Sequence, residues 1–243
     1  FMAMAGRDAL QIYESIPATM DLAAAAQEEV GRTADIVTNI MQSFQKGASE
    51  TREVADQLTA TFTTTNTTLN KLGQTMKFAG PQAAAMGQDF RNIAASAGLL
   101  GNAGLQAELA GTGLRGILMK LSAPSGEARR VLKELQIEAI DPLPGKMKQI
   151  TERVRGFEES GANPRQIGQI FAQRASTAMF ALLGQGADAL DSKAAELLEK
   201  QGEAARVAWI DASLSQMAKT LPLAVAQGVR VVTGTDWFPG YTA

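Results

Sequence analysis

Apolar side chains recur at three- and four-residue spacing along almost the whole of this 243-residue chain, and glycine or proline interrupts the rhythm at short intervals. A strand would need alternation by two, and a single long rod would need the interruptions removed. The pattern therefore predicts an all-α fold: a multi-helix hairpin or bundle of short amphipathic helices broken by Gly and Pro.

Ile36, Val37, Ile40, Met41 and Phe44 form one stripe, with Thr33 as the expected cap and Gly47 as the expected stop. Ser49 should cap the next, which carries Val54, Ala55, Leu58 and Phe62. The Thr-rich stretch from Thr59 to Thr68, with Asn66 inside it, reads as a connection because Thr competes poorly in helix interiors. Leu69, Leu72 and Met76 open a helix that Gly80-Pro81 should break or kink.

Phe90, Ile93, Ala94, Ala97 and Leu100 make a further stripe closed by Asn102-Ala103-Gly104. Ala110, Leu114, Ile117, Leu118 and Leu121 make another, ended by Ser122 to Gly126. Ala128, Val131, Leu132 and Leu135 precede a Pro-rich turn at Asp141 to Gly145, after which Met147, Ile150, Val154 and Phe157 resume the spacing. Asn163-Pro164 marks a helix start, since Asn caps and Pro suits the first helical position. Ile167, Ile170, Phe171, Met179 and Leu182 follow to Gly184, then Leu190, Ala194, Leu197 and Leu198.

Val207, Ile210, Leu214, Met217 and Leu221 switch to strict 3-4-3-4 spacing, the seam of a short coiled-coil-like C-terminal helix; an ordinary helix packed on its own domain fits the same spacing. Val229 to Val232 reads as a short strand. Trp237, Phe238 and Tyr241 gather in a turn-rich end, a candidate docking peptide. The division expected is a core helical domain over residues 1–201 and a C-terminal heptad and aromatic tail over 202–243.

Composition narrows the function. There is no His and no Cys, which removes the usual proton shuttle, the commonest metal ligand and the thiol nucleophile, and no carboxylate or Ser-Lys spacing stands in for them. Glu28-Glu29 and Glu158-Glu159 are adjacent, so in a helix they point apart, and Glu196 with Lys200 suits a surface ion pair. No enzyme, cofactor or metal is expected. With 45% hydrophobic but 5% aromatic residues and 23 glycines, the core should be aliphatic with closely approaching backbones; most of the 10 Met fall on the stripes and should fill that core. A formal charge of -2 with no long run of either sign does not indicate a nucleic-acid clamp. No signal peptide and no apolar stretch of membrane-spanning length is read, and Phe1, which is not an initiator, marks the chain as an expected piece of a longer one.

Gly111-Thr112-Gly113-Leu114-Arg115-Gly116 spells the dinucleotide fingerprint G-x-G-x-x-G. That fingerprint needs a preceding strand, whereas Ala107 to Ala110 reads as helix. The expectation is that these small residues let another helix approach.

The runs Phe1 to Gly6, Leu22 to Ala26, Ala34 to Val37, Ala48 to Thr51, Thr65 to Thr67 and Lys77 to Pro81, with Asn102-Ala103-Gly104, Ala110 to Arg115 and Leu121 to Ser125, stand in an order and spacing that resembles the core domain of phage tail tape-measure proteins. The likeness spans about residues 1–190. It implies a virion structural protein that lies inside the tail tube, sets tail length during assembly and leaves ahead of the DNA during ejection, made in the host cytoplasm. It marks Asn66, Gly80, Pro81, Asn102, Gly104, Gly111, Thr112, Leu114 and Arg115 as structural motif residues. Partners expected are further copies of the chain in a small homo-oligomer such as a trimer, the tail tube and the tail-tip or baseplate hub proteins, with no sequence-specific nucleic acid. The alternative is a membrane-active helical module that inserts into the host envelope during genome delivery.

Overall fold

The computed structural model describes residues 6–137 and 150–200, and individually residues 3, 202, 207, 208, 210, 214 and 219. The turn at Asp141 to Gly145, Met147, Met217, Leu221, Val229 to Val232, Trp237, Phe238 and Tyr241 lie outside the described residues.

Among the described residues the chain forms helices and no strand: α1 (Ala9–Ala26), α2 (Val30–Ser43), α3 (Thr51–Thr64), α4 (Leu69–Ala85), α5 (Phe90–Asn102), α6 (Ala107–Ser122), α7 (Gly126–Glu134), α8 (Ile150–Glu159), α9 (Pro164–Ile170), α10 (Gln173–Gln185) and α11 (Ala187–Glu199). The all-α expectation holds. α5 is the central helix: Phe90 and every residue from Ile93 to Gly101 are buried, and α3, α4, α6, α8, α10 and α11 all pack on it. A helix that is apolar or small on every side can only be stable inside a core. Around it α4 lies between α2 and α6, α10 covers the other side of α6, and α1 packs on α2 and α3.

Several starts and stops follow local chemistry. Asp8 accepts from the Gln11 N–H while the Gln11 side chain accepts from the Asp8 N–H, and Asn163 and Gln166 repeat that box with Pro164 in the first turn. Gly104, at φ 82°, closes α5.

Several local expectations are corrected by the structure. Thr33 does not cap α2, which starts a turn earlier at Val30; its hydroxyl donates to the Glu29 carbonyl from a buried position. Gly47 does not stop α2 either, because Gln45 already takes the left-handed conformation and the Lys46 N–H closes on the Met41 carbonyl at 2.8 Å. Gly47 and Ser49 belong to a 3-10 turn, Ala48–Glu50, that leads into α3.

The threonine run is helix as far as Thr64. The hydroxyls of Thr59, Thr61, Thr63 and Thr64 each donate to the carbonyl four residues back, which satisfies the polar group locally and leaves the methyls for packing. Pro81 does not end α4. It sits on the exposed side, so the missing donor faces solvent, while Met76, Ala79, Gly80 and Ala83 hold the buried face in place. The helix expected to run from Pro164 to Gly184 is instead two, broken where Phe171 turns extended to bury its ring edge-on against Phe157, with centroids 5.7 Å apart.

Candidate helix-packing site

The residues singled out by the glycine fingerprint lie within α6, with no strand before them, and they serve two neighbours at once. A Cβ placed on Gly111 would stand 2.6 Å from the Thr75 carbonyl oxygen and 2.8 Å from Phe78 Cβ in α4. One placed on Gly113 would meet Ala178 Cβ at 2.6 Å, and one on Gly116 would meet Ala175 Cβ at 2.8 Å, both in α10. Two glycines on one side and one on the other bring α6 into near main-chain contact with α4 and α10. The expectation of close helix approach holds, and the dinucleotide reading falls for want of a strand. Leu114 is buried between these contacts, Thr112 returns its hydroxyl to the Glu108 carbonyl at 2.8 Å, and Arg115 is exposed.

Thr75 was not marked by any sequence motif, yet it joins α4 to α6 twice. Its hydroxyl donates to the Ala107 carbonyl at 3.0 Å, and its own carbonyl is the group against which Gly111 rests. Only a buried Thr at the interhelical contact does this, and nothing in the local spacing distinguishes it from the surrounding threonines.

Asn66 and Asn102, both marked by the resemblance, come together at one end of the bundle. The Asn66 N–H donates to Asn102 Oδ1 at 2.8 Å, linking the α3–α4 loop to the C-terminus of α5. Gln106 adds its amide N–H to the Asn66 carbonyl and accepts from Lys71 Nζ at 2.6 Å. Gly101 makes room for this clasp, since a Cβ there would lie 2.9 Å from the Asn66 oxygen. Gly80 faces Phe44 and Ser43 of the α2 end at 3.6 Å, an ordinary contact distance, so it is tight but not indispensable.

Electrostatics are structural throughout. Burial opposes the charge on Lys46, but Glu50 and Glu53 outweigh it and hold the ammonium above the ordinary lysine range. The Lys46 ammonium, with the Gly47 N–H, in turn lowers the Glu50 carboxyl. Glu196 is pushed up by burial and pulled down further by Lys193 and Lys200, so it too ends below the ordinary carboxylate range. The expected Glu196–Lys200 pair is present at 2.8 Å, with Lys193 as an unforeseen third member. Glu158 is not a mere surface acid: it accepts the Ala187 N–H at 2.9 Å and caps α11 from another helix. Among the described residues no cluster of Asp and Glu could hold a metal ion, and no helix is long and apolar enough to cross a membrane.

Of the seam residues, Val207, Ile210 and Leu214 are helical and exposed. The remaining seam and docking positions fall outside the described residues.

With Asn66, Gly80, Asn102, Gly111 and Leu114 at helix contacts and Gly104 at a helix end, the fold is that of a helical scaffold protein. The chain belongs to the family of phage-related minor tail proteins, which it matches over residues 1–227. It is 27% identical over 213 residues to the tape measure protein of Pneumococcus phage Dp-1, covering 85% of this chain and 18% of that one. It is 28% identical over 189 residues to the probable tape measure protein of Escherichia phage P2, covering 75% of this chain and 23% of the relative. The chain thus spans about a fifth of the length of these relatives. No solved structure matches it. The tape-measure resemblance read from the sequence is upheld by the family match and by both relatives.

Proposed function

We propose that this segment is a folded anchoring portion of a tape measure, which occupies the tail tube lumen, takes part in setting tail length and assembling the tail, and leaves during DNA ejection. The observation that carries the reading is the tape-measure likeness over most of the chain combined with a main chain folded back on itself. As one continuous helix, 243 residues would reach about 365 Å. Folded into short helices, the segment contributes an attachment point rather than a proportionate length.

In this reading residues 1–201 form the core and residues 202–243 the assembly element, whose Val207 to Leu221 seam joins copies into a small homo-oligomer such as a trimer. Trp237, Phe238 and Tyr241 dock on tube or tail-tip proteins. The test is made in the phage: residues 202–243 are deleted in frame and tails are measured by electron microscopy. Loss of assembled tails supports anchoring. Normal assembly with tails shortened in proportion to the deletion would overturn it in favour of a plain ruler.

The membrane-active alternative draws on the exposed apolar residues of α1, but Glu14 and Asp21 border them where Lys and Arg are usual for helices that lie on membranes. Leakage of anionic vesicles by the purified protein would favour it.

A further inference from the structure

The described helices pack in series, α1 on α2, α2 on α4, α4 on α6, α6 on α10, α10 on α9 and α9 on α7, so α1 and α7 stand at its two ends. Charge is divided between those ends. From Asp8 to Ser43, through α1 and α2, Arg32 is the only cation beside Asp8, Glu14, Asp21, Glu28, Glu29 and Asp35. At the other end α7 holds Arg129, Arg130 and Lys133 with Glu127 and Glu134. Between Glu159 and Asp188, through α9 and α10, the only charged residues are Arg165 and Arg174.

Most of these groups find no partner in their own copy. Arg129, Lys133, Arg165 and Arg174 are exposed, and their side chains make no hydrogen bond or ion pair among the described residues; the same is true of Glu14, Glu29 and Asp35. Elsewhere arginines do hold acids, Arg52 with Asp21 at 2.6 Å, Arg91 with Asp89 at 3.3 Å and Arg155 with Asp188 at 2.9 Å.

We infer that the basic end, α7 and α9 with the start of α10, docks on the acidic end, α1 and α2 with the turn between them, of a second copy. This rests on the proposed homo-oligomer and adds a contact made by the described core rather than by residues 202–243. Charge complementarity selects the occupant: two basic ends repel, as do two acidic ends, so copies meet head to tail. Such a contact is heterologous and closes into a small ring when the rotation closes. The guanidinium forks of Arg129, Arg165 and Arg174 suit carboxylates, which they can hold through two parallel hydrogen bonds. Exposed pairs are individually weak and are screened by salt, so the contact depends on several acting together.

Light scattering of the full chain at about 0.05 M and about 1 M salt is the test, since the screening length shortens to about 3 Å at the higher value. The low-salt mass is expected to exceed the high-salt mass, and what remains at high salt belongs to the seam. R129E/R165E should lower the low-salt mass to the high-salt value with unchanged circular dichroism. E14K/E29K should do the same, and the two variants mixed, each with one intact end, should regain the larger mass. A wild-type mass that ignores salt, full mass in folded R129E/R165E, or no recovery on mixing overturns the contact, while an oligomer still seen at high salt stands. A monomer at both salts overturns the homo-oligomer and this inference with it. Duplex DNA bound by the wild type at low salt and released by R129E/R165E, without self-association, would assign the basic end to phosphates and overturn the second copy.

Discussion

Gly111 of α6 rests on the main chain of Thr75 in α4, close enough that a Cβ would come within 2.6 Å of the Thr75 carbonyl oxygen. A backbone oxygen cannot rotate away as a side chain can. Replacing Gly111 with Ala gains about 1 kcal/mol of helix propensity but forces α4 and α6 apart, an overpacking cost of about 1–3 kcal/mol in addition to lost contacts. G111A is expected to lower stability by about 2 kcal/mol in urea unfolding. Gly184 lies inside α10 with nothing near its would-be Cβ, so G184A should raise stability by about 0.5–1 kcal/mol. Equal effects of the two substitutions would contradict the close-approach account.

The clasp between Asn66 and Asn102 leads to a second expectation. N102A removes the acceptor of the Asn66 N–H at the bundle end, at a cost of about 0.5–1.5 kcal/mol because water can reach the site and replace part of the bond. Hydrogen exchange should accelerate at the Asn66 amide far more than in α5. An unchanged Asn66 exchange rate would show that the clasp contributes nothing.

Gln88 is buried and its side-chain oxygen accepts the Ile150 N–H at 2.9 Å, so a side chain in the α4–α5 loop holds the start of α8. Q88A strands a buried donor and should cost about 1–3 kcal/mol. Q88E keeps an acceptor but buries a charge, and it should be destabilised at neutral pH with partial recovery as the pH is lowered toward protonation of the new carboxyl. Thermal melts of both variants at two pH values check this.

Stability should be level across neutral pH, because the chain has no histidine. Glu50 and Glu196 are held below the ordinary value of 4.5, so their stabilising effect is fully present above that value and is lost as the pH falls through their lower folded values. Lys46 is held above 10.5, so its effect is present below 10.5 and lost as the pH rises through its folded value. Urea midpoints measured against pH should therefore show a plateau with an acid and an alkaline limb, and E196Q should make the acid limb shallower. A maximum or minimum near pH 6.5 would contradict the assignment.

Helix identity was legible where one segment contained the whole reason for its structure. Asn163, Pro164 and Gln166 make a helix start within four consecutive residues, and the stripes of Ile36 to Met41, Phe90 to Leu100 and Ala110 to Leu121 are buried as their spacing requires. The glycine fingerprint was legible as a site of close approach because a strand was missing before it. By itself, then, the sequence determined short helical elements with small-residue contacts, which the described residues form, and a composition without histidine or cysteine.

Which helix each glycine meets was decided only in three dimensions: Gly111 faces α4 while Gly113 and Gly116 face α10, and residues so near in sequence point to different neighbours because a helix turns 100° per residue. The same holds for Thr59 to Thr64, kept helical by back-bonded hydroxyls and burial, for Pro81, tolerated because its missing donor faces solvent, and for Phe171, which breaks a helix to reach Phe157. In each case a local propensity of about 1–3 kcal/mol was outweighed by burial against partners distant in the chain, a contribution no sequence window contains.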